Sequence, residues 1–366
     1  MISSPQRCRG YQTEPDFSPH SPIIQRALQN IPSTLGLHQA LAGHHLLLTG
    51  GTGFFGHWLL VLLYQLNLQG AGLEVTVLSR NPDRFLATQP RYRDCSWLHW
   101  LRGDVRDSFE VSGRPVSLII HAATDTSGAA QERPLDLFET IVMGARQVFD
   151  LAAKHNARVL VTGSGAQYGV LPGASEQDAG VAEAFAAACI SNSADSAYSE
   201  AKRAQETLAA IYAKHRGLHV VMTRCFAFAG PGLPLDAHFA IGNFVRDALW
   251  ADEIVLRSCG HAVRSYMHGA DLAGWLLTLL VRGENCVPYN VGSDVAVSIA
   301  GLARQVMERV SPGKPLRILG RPDCSGRSFY VPDISRAREM GLGVWTPLDQ
   351  SIDSMAAWAR LQGSGD

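Results

Sequence analysis

Seven residues, Gly50-Gly51-Thr52-Gly53-Phe54-Phe55-Gly56, place four glycines between the apolar run Leu46-Leu47-Leu48-Thr49 and the helix-like stretch His57-Trp58-Leu59-Leu60-Val61-Leu62-Leu63. The order predicts a strand, a phosphate-sized turn and a helix N-terminus. Glycine lets the backbone turn tightly and come close to a pyrophosphate, whose charge is met by free N–H groups and the positive end of the helix dipole. Gly50, Thr52, Gly53, Phe54, Phe55 and Gly56 are the candidate cradle of a dinucleotide. A turn of this kind also occurs as a mere tight connection, so the function rests on what else the chain carries.

The chain is 366 residues long, 46% hydrophobic and 18% charged, with a formal net charge of -1. That size suits one large domain or two intimate ones. Lys and Arg are not in excess, so composition points away from nucleic acid and from an anionic membrane, whereas an anionic small substrate needs only a local basic pocket. The cysteines Cys8, Cys95, Cys189, Cys225, Cys259, Cys286 and Cys324 show neither Cys-x-x-Cys nor zinc spacing. No metal site is expected, and the thiols read as reduced. Residues 1–22 are polar and rich in Pro and Ser, and no stretch reaches transmembrane length without polar interruption. The cytoplasm is the expected compartment.

Residues 1–22 read as a flexible arm and 23–41 as short amphipathic helical material, an extension outside the core. Strand-like runs at 73–78, 116–121, 158–162 and 219–223 then alternate with helical ones, among them 137–155 with Ile141, Val142, Ala145, Val148 and Phe149 on its apolar side. Near-continuous apolar strands in such alternation predict a doubly wound parallel α/β sheet, of the Rossmann kind, covered on both faces. Ligands then bind at the carboxyl ends of the strands. After 230–234 the alternation becomes irregular. The expected division is a 1–42 arm and extension, a 43–229 dinucleotide-binding domain, and a 230–366 region mainly for substrate, with 286–293 returning to the sheet.

Tyr198-Ser199-Glu200-Ala201-Lys202 sets a phenol and an ammonium four residues apart on one helix face. A fixed positive charge favours phenolate and makes tyrosine a usable acid and base near neutrality. Ser164, in Thr162-Gly163-Ser164-Gly165-Ala166-Gln167-Tyr168-Gly169, follows a strand and is expected where the nicotinamide half of a dinucleotide would lie. The end of the second strand selects the cofactor. An NAD site usually ends this strand in Asp or Glu for the ribose 2′-hydroxyl, whereas this strand ends Ser79-Arg80-Asn81, groups that suit a 2′-phosphate. NADP(H) is the expected cofactor, with NAD(H) left open by Asp83 or a rotated Arg80.

From about Gly43 to Trp358 the sequence resembles the extended short-chain dehydrogenase/reductase family of nucleotide-sugar epimerases, dehydratases and reductases. The resemblance is carried by the glycine turn, Gly103-Asp104-Val105-Arg106-Asp107, His121-Ala122-Ala123-Thr124, Ser164 ahead of Tyr168-Gly169, Tyr198 with Lys202, and Arg224 followed by Gly230-Pro231-Gly232. It implies that Ser164 hydrogen-bonds the reacting sugar oxygen, Tyr198 is the acid/base, and Lys202 tunes the phenol and binds nicotinamide ribose. It further implies cofactor contacts from Asp104, Val105, Ala122, Ala123 and Thr124, and a diphosphate clamp from Arg264. His238 and Asn243 are candidates for nucleotide or sugar, or else buried or capping residues. Arg321 and Arg327 compete for a second phosphate contact. Family members commonly pair as dimers through two helices per subunit, here 137–155 and 198–215.

Two departures qualify the resemblance. The family's 4,6-dehydratases carry an Asp-Glu pair directly after the hydroxyl residue, and here Gly165-Ala166 stands there, neither able to move a proton. The family's usual asparagine before Gly144 is replaced within Thr140-Ile141-Val142-Met143. The expected activity is reduction of a 4-keto nucleotide sugar with NADPH. A 4-epimerase with transient oxidation is the alternative, and a non-catalytic NADP(H)-binding scaffold is the reading from another class.

Overall fold

The computed structural model describes residues 15–124, 131–169, 180–186, 189–237, 239–321 and 328–363. Among them, seven strands form one parallel sheet: β1 (His45–Thr49), β2 (Glu74–Ser79), β3 (Leu98–Arg102), β4 (Leu118–His121), β5 (Arg158–Ser164), β6 (Val220–Cys225) and β7 (Pro288–Val291). Their spatial order is β3-β2-β1-β4-β5-β6-β7. The order reverses between β1 and β4, whose last residues, Thr49 and His121, are neighbours in register. That is the switch point at which a doubly wound sheet opens a crevice.

Strands with side chains buried on both faces need apolar residues at every position. Leu46 and Leu48 project into one core layer with Trp58, Leu59 and Trp275, while Leu47 projects into the other with Ile119, Val148 and Phe149. The first layer is covered by the helices Phe54–Leu68 and Gly269–Arg282, the second by Pro134–His155 and Ala197–Arg216. Strand β3 was not among the sequence expectations. It is the sheet's edge, its burial falls off along its length, and His99, Trp100 and Arg102 break the apolar run that marks the inner strands.

The division near 230 is crossed in both directions. The Gly269–Arg282 helix packs on Phe54–Leu68, and β7 pairs with β6, so part of the later chain completes the sheet. A separate apolar cluster joins the helices Ala240–Trp250, Ile299–Val310 and Leu348–Gly363. The 15–41 segment is no loose extension. Phe17, Ile24, Leu28 and Leu41 belong to the main core, and the Phe17 ring lies 5.0 Å from Trp58 and 5.2 Å from Trp358. The thiol expectation also needs correction: Cys95, Cys189, Cys225 and Cys286 are free, but Cys259 is disulfide-bonded. No helix among the described residues is long and apolar enough to cross a membrane.

A buried carboxylate ties the two ends of the chain to this core. Asp271 accepts from the Trp345 and Thr346 backbone N–H groups at 2.8 Å each and from the Thr346 hydroxyl at 2.7 Å, and Thr346 in turn accepts from Asn30. Burial pushes the Asp271 carboxyl up to about 6, against the pull of these bonds. A raised acid favours the fold while protonated, so its contribution is complete below the ordinary aspartate range and is lost as pH rises through about 6. Comparing denaturant unfolding of the wild type and Asp271→Asn from pH 4 to 7, the variant should gain on the wild type by up to about 3 kcal/mol across that window. A difference that stays constant with pH refutes the assignment.

Candidate active site

The four glycines of the turn answer to different constraints. Gly50 has φ +75°, and a Cβ there would stand 2.4 Å from the Ala122 carbonyl oxygen and 2.8 Å from the Ala123 nitrogen. A Cβ on Gly56 would stand 2.2 Å from the Gly51 carbonyl carbon, so the first helical turn packs straight onto the loop, and one on Gly51 would meet the Val77 side chain at 2.6 Å. Gly53 is unlike these. Its φ is −95°, and the nearest atom to a Cβ there is the Gly50 oxygen at 3.6 Å.

Nothing among the described residues requires glycine at 53, which is exposed with Thr52 at the mouth of the crevice. Gly53 is the N-cap of Phe54–Leu68 and has no side chain to satisfy the first N–H groups. Bare backbone, open donors and the positive helix end fit a dinucleotide pyrophosphate. Phe54 and Phe55 are half-buried, with Phe55 edge-on to Phe228 at 4.9 Å.

Across the switch point, Ala122 donates its N–H to the Thr49 carbonyl at 3.2 Å and Ala123 to the Thr49 hydroxyl at 3.3 Å. Val105 is buried against Gly144, where a Cβ would come within 2.8 Å of its side chain. Asp104 is held by the guanidinium and backbone N–H of Arg106 at 2.9–3.1 Å, and the side-chain bonds above all keep its carboxyl below the usual range. At the end of β2, the Ser79 hydroxyl accepts from Asn81, Arg80 is exposed, and Asp83 is ion-paired with Arg102.

Ser164 ends β5 opposite Cys225 of β6 and is buried. Its hydroxyl accepts from the Ala166 N–H at 3.1 Å. Tyr198 and Lys202 share a face of the Ala197–Arg216 helix, as their spacing predicts. Lys202 is buried and donates to the Thr162 carbonyl at 2.6 Å, the Thr124 hydroxyl at 2.9 Å and the Gln205 side-chain oxygen at 3.3 Å. Burial brings this ammonium down to about 8. The expected lowering of the phenol by Lys202 does not govern Tyr198 in this structure. Burial pushes Tyr198 up to about 12, with the Ser164 hydroxyl acting against it, while Lys202 donates to Thr162, Thr124 and Gln205.

The substrate-side candidates are spread more widely. Arg264, on the short strand Val263–Arg264, gives one nitrogen to the Val263 and Ser328 carbonyls at 2.8 and 3.1 Å and lies 5.8 Å over the Tyr330 ring. Asn243 accepts from Arg246 at 3.2 Å on the Ala240–Trp250 helix. Arg321 is exposed. His238 and Arg327 lie outside the described residues.

Two features of the site were not predicted from the sequence. One is the support beneath Ser164. Gln167 accepts from the Ser164 N–H and donates to Glu206 at 2.5 Å, Glu206 grips Arg224 through both oxygens, and Arg224 reaches Tyr168 at 2.9 Å, which donates to Asn290 at 2.8 Å. The other is Tyr330, brought in from the strand Phe329–Tyr330 by its pairing with Val263–Arg264. Both depend on contacts across long stretches of chain, which local patterns do not encode.

Residues 46–292 match the model of the NAD dependent epimerase/dehydratase family. The chain belongs to this family. UDP-glucuronic acid decarboxylase 6 of Arabidopsis thaliana is 27% identical over 308 residues, covering 82% of this chain and 84% of that protein. In structure, the UDP-glucose 4-epimerase of Thermotoga maritima, solved with UDP-glucose, superposes with a TM-score of 0.73 at 19% identity, covering 87% of this chain and 100% of that one. The dTDP-glucose 4,6-dehydratase of Bacillus anthracis, solved with NAD, gives 0.72 at 18% identity, covering 88% and 98%. The family description names NAD, and the relatives named here take nucleotide sugars.

Within the family, the Gly165-Ala166 departure has a structural counterpart. A Cβ at 165 would stand 2.8 Å from the Tyr330 hydroxyl and 2.9 Å from the Phe226 ring, so the space an acidic side chain would enter is already filled.

The glycine turn yields a paired expectation. Gly53→Ala should leave the thermal midpoint within about 2 °C of the wild type yet weaken dinucleotide binding about tenfold or more. Gly56→Ala should destabilise the fold by about 2–4 kcal/mol because backbone blocks the new methyl. Calorimetric titration and thermal unfolding of both variants check this; undiminished binding by Gly53→Ala would refute the cradle.

Proposed function

We propose that this protein transfers hydride at carbon 4 of a nucleotide-activated sugar, acting as an NADP(H)-dependent 4-keto-sugar reductase. The observation that carries the reading is the placement of Ser164 at the end of β5 and of Lys202, on the helix that also carries Tyr198, against Thr162 and Thr124 beside the crevice whose backbone suits a dinucleotide. A nicotinamide held there supplies or accepts the hydride. Ser164 donates to the sugar oxygen and holds it, and Tyr198 gives that oxygen its proton in the reductive direction or removes it in the oxidative one. Lys202 binds the ribose from its buried position against Thr124. Arg264 takes the diphosphate with its half-exposed guanidinium. Asn243 and His238 stand as candidates for the nucleotide or sugar. Dehydration is disfavoured, since Gly165 and Ala166 carry no acid or base and Tyr330 occupies the adjoining space.

The preference for NADP(H) is our inference from the second strand. It ends without a carboxylate, Asp83 is drawn to Arg102, and Arg80 adds positive charge beside Asp104. The family description names NAD, and the dehydratase neighbour was solved with it. A second reading follows from the relatives: decarboxylases and epimerases can restore their cofactor within each turnover, and a cyclic oxidation and reduction at carbon 4 uses the same Ser164, Tyr198 and Lys202. The cytoplasm remains our proposed compartment.

We also propose a homodimer. Leu135, Phe138, Met143 and Ile211 are exposed on the Pro134–His155 and Ala197–Arg216 helices, around a surface groove of about 490 Å³ lined by Phe138, Val142, Ala204, Leu208 and Ile211. A second copy of this helix pair would cover that apolar face. Sedimentation should find a dimer at micromolar concentration and a monomer for Ile211→Asp; monomer alone in the wild type removes the proposal.

One set of assays tests the chemistry. With UDP-, GDP- and dTDP-linked sugars and their 4-keto forms, a 4-keto substrate should consume one NADPH per product, and Tyr198→Phe should lose about 100-fold or more in turnover while keeping fold and cofactor affinity. NADP(H) should bind more tightly than NAD(H), with Arg80→Ala eroding the difference. Isomer or decarboxylated product without net cofactor consumption replaces the reductase by the cyclic reading. Full activity in Tyr198→Phe overturns both.

A further inference from the structure

The turn that carries Ser164 is tied to the neighbouring helix through one side chain. Ser164 ends β5 and caps the short 3-10 helix Gly165–Tyr168, within which Gln167 reaches back to accept from the Ser164 N–H at 3.4 Å. That much is an ordinary capping box. The same amide also turns outward and donates to Glu206, on the Ala197–Arg216 helix, at 2.5 Å. Glu206 lies about two turns beyond Tyr198 on that helix, with Lys202 midway between them. Gln167 is 3% exposed, and Gly163 leaves it room, because a Cβ at 163 would stand 3.2 Å from its side-chain oxygen.

We propose that Gln167 is a positioning residue, a strap that anchors the Ser164 turn to the helix carrying Tyr198 and so fixes the separation of the two groups that act on the sugar oxygen. The far end of the strap is held firmly. Arg224 of β6 grips both oxygens of Glu206, and the oxygen that accepts from Gln167 also accepts from the Arg224 Nε at 3.1 Å. Arg224 in turn donates to the Tyr168 hydroxyl and the Glu183 carbonyl at 2.9 Å each. A largely buried ion pair gains little net stability over apolar packing. Its effect here is geometric: the planar guanidinium fork admits one orientation of the carboxylate, and that orientation presents an oxygen to Gln167.

Helix and turn are joined at a second point that does not involve the Gln167 side chain. Arg203, on the same helix, donates to the Gln167 main-chain carbonyl at 3.3 Å, and the turn keeps its own bond from the Ala166 N–H to the Ser164 hydroxyl. The turn therefore stays formed and attached when the amide is lost. What the amide adds is a second attachment, and two attachments stop the turn from pivoting about the first. An amide transfers no proton, so the proton balance of hydride transfer is unaffected by the strap. Its contribution is to hold the serine at the reacting oxygen before the reaction begins.

This inference rests on the Ser164/Tyr198 reading, and the test separates the two. Gln167→Met keeps the length of the side chain and removes both of its hydrogen bonds, while the Glu206–Arg224 pair and the Arg203 contact remain. The thermal midpoint should fall by only a few degrees, and the Kd for NADP(H) should stay within about twofold of the wild type. With the nucleotide-sugar panel and NADPH, kcat should fall about five- to tenfold at constant KM, the worth of roughly one hydrogen bond. In a Ser164→Ala background, Gln167→Met should lower kcat no further, because the strap acts only through the serine. Gln167→Leu should give the same split and serves if the methionine variant does not fold. Unchanged kcat in these variants, with Ser164→Ala impaired, overturns the proposal alone. So do equal losses in both backgrounds, a change confined to KM or to the NADP(H) Kd, and failure of both variants to fold, each of which makes Gln167 a support of the fold or the pocket. No turnover by the wild type with any panel member, or full turnover in Ser164→Ala, overturns the parent reading and the proposal with it.

Discussion

The close approach of two backbones at the switch point is the constraint on which the site depends. Gly50 turns out of β1 with a positive φ directly over the Ala122 carbonyl at the end of β4. Any side chain at 50 would force these strand ends apart, and with them the helix that starts at Phe54 and the Ala122-Ala123-Thr124 segment. Thr49 reinforces the junction, accepting from Ala123 while its hydroxyl lies 2.8 Å from the His121 ring nitrogen. Lys202 then connects it to the end of β5 and the Ala197–Arg216 helix through Thr124 and Thr162. The glycine turn and the Ser164, Tyr198 and Lys202 side chains are consequently one piece of structure.

The parts of this arrangement that were legible in the sequence are those encoded by neighbours in the chain. Leu46-Leu47-Leu48 must be an inner strand because each face of a doubly covered sheet demands an apolar residue. Tyr198 and Lys202 share a helix face by their spacing alone. The glycines of the turn were legible as a group, but their individual reasons were not: only the three-dimensional neighbours reveal that Gly50, Gly51 and Gly56 are needed by the protein and Gly53 is left open.

Contacts made over distance were hidden for the complementary reason. Tyr330 reaches Gly165 and the Cys225 carbonyl because a two-residue strand pairs with Val263–Arg264, a union with no local pattern. The Glu206–Arg224 pair reads as two ordinary charges until a helix and a strand bring them together under Gln167. Electrostatic inference failed in a similar way. The charge of Lys202 was expected to act on Tyr198, yet its effect is subordinate to burial because backbone and side-chain oxygens engage it first.

The Phe17–Trp58–Trp358 cluster links parts of the chain that a motif-based account would treat separately. Trp58 lies in the helix that begins at the glycine turn, and it donates to the Pro231 carbonyl at 3.1 Å. Phe17, from one end of the chain, packs edge-on to it, and Trp358, from the other, packs edge-on to Phe17. A fragment cut to start at β1 would retain every glycine of the cradle but bare an indole face to water, forfeiting about 1.5–3 kcal/mol for the Phe17 side chain alone. The smallest portion able to hold the helix after the glycine turn in place is therefore set by aromatic packing well outside that turn.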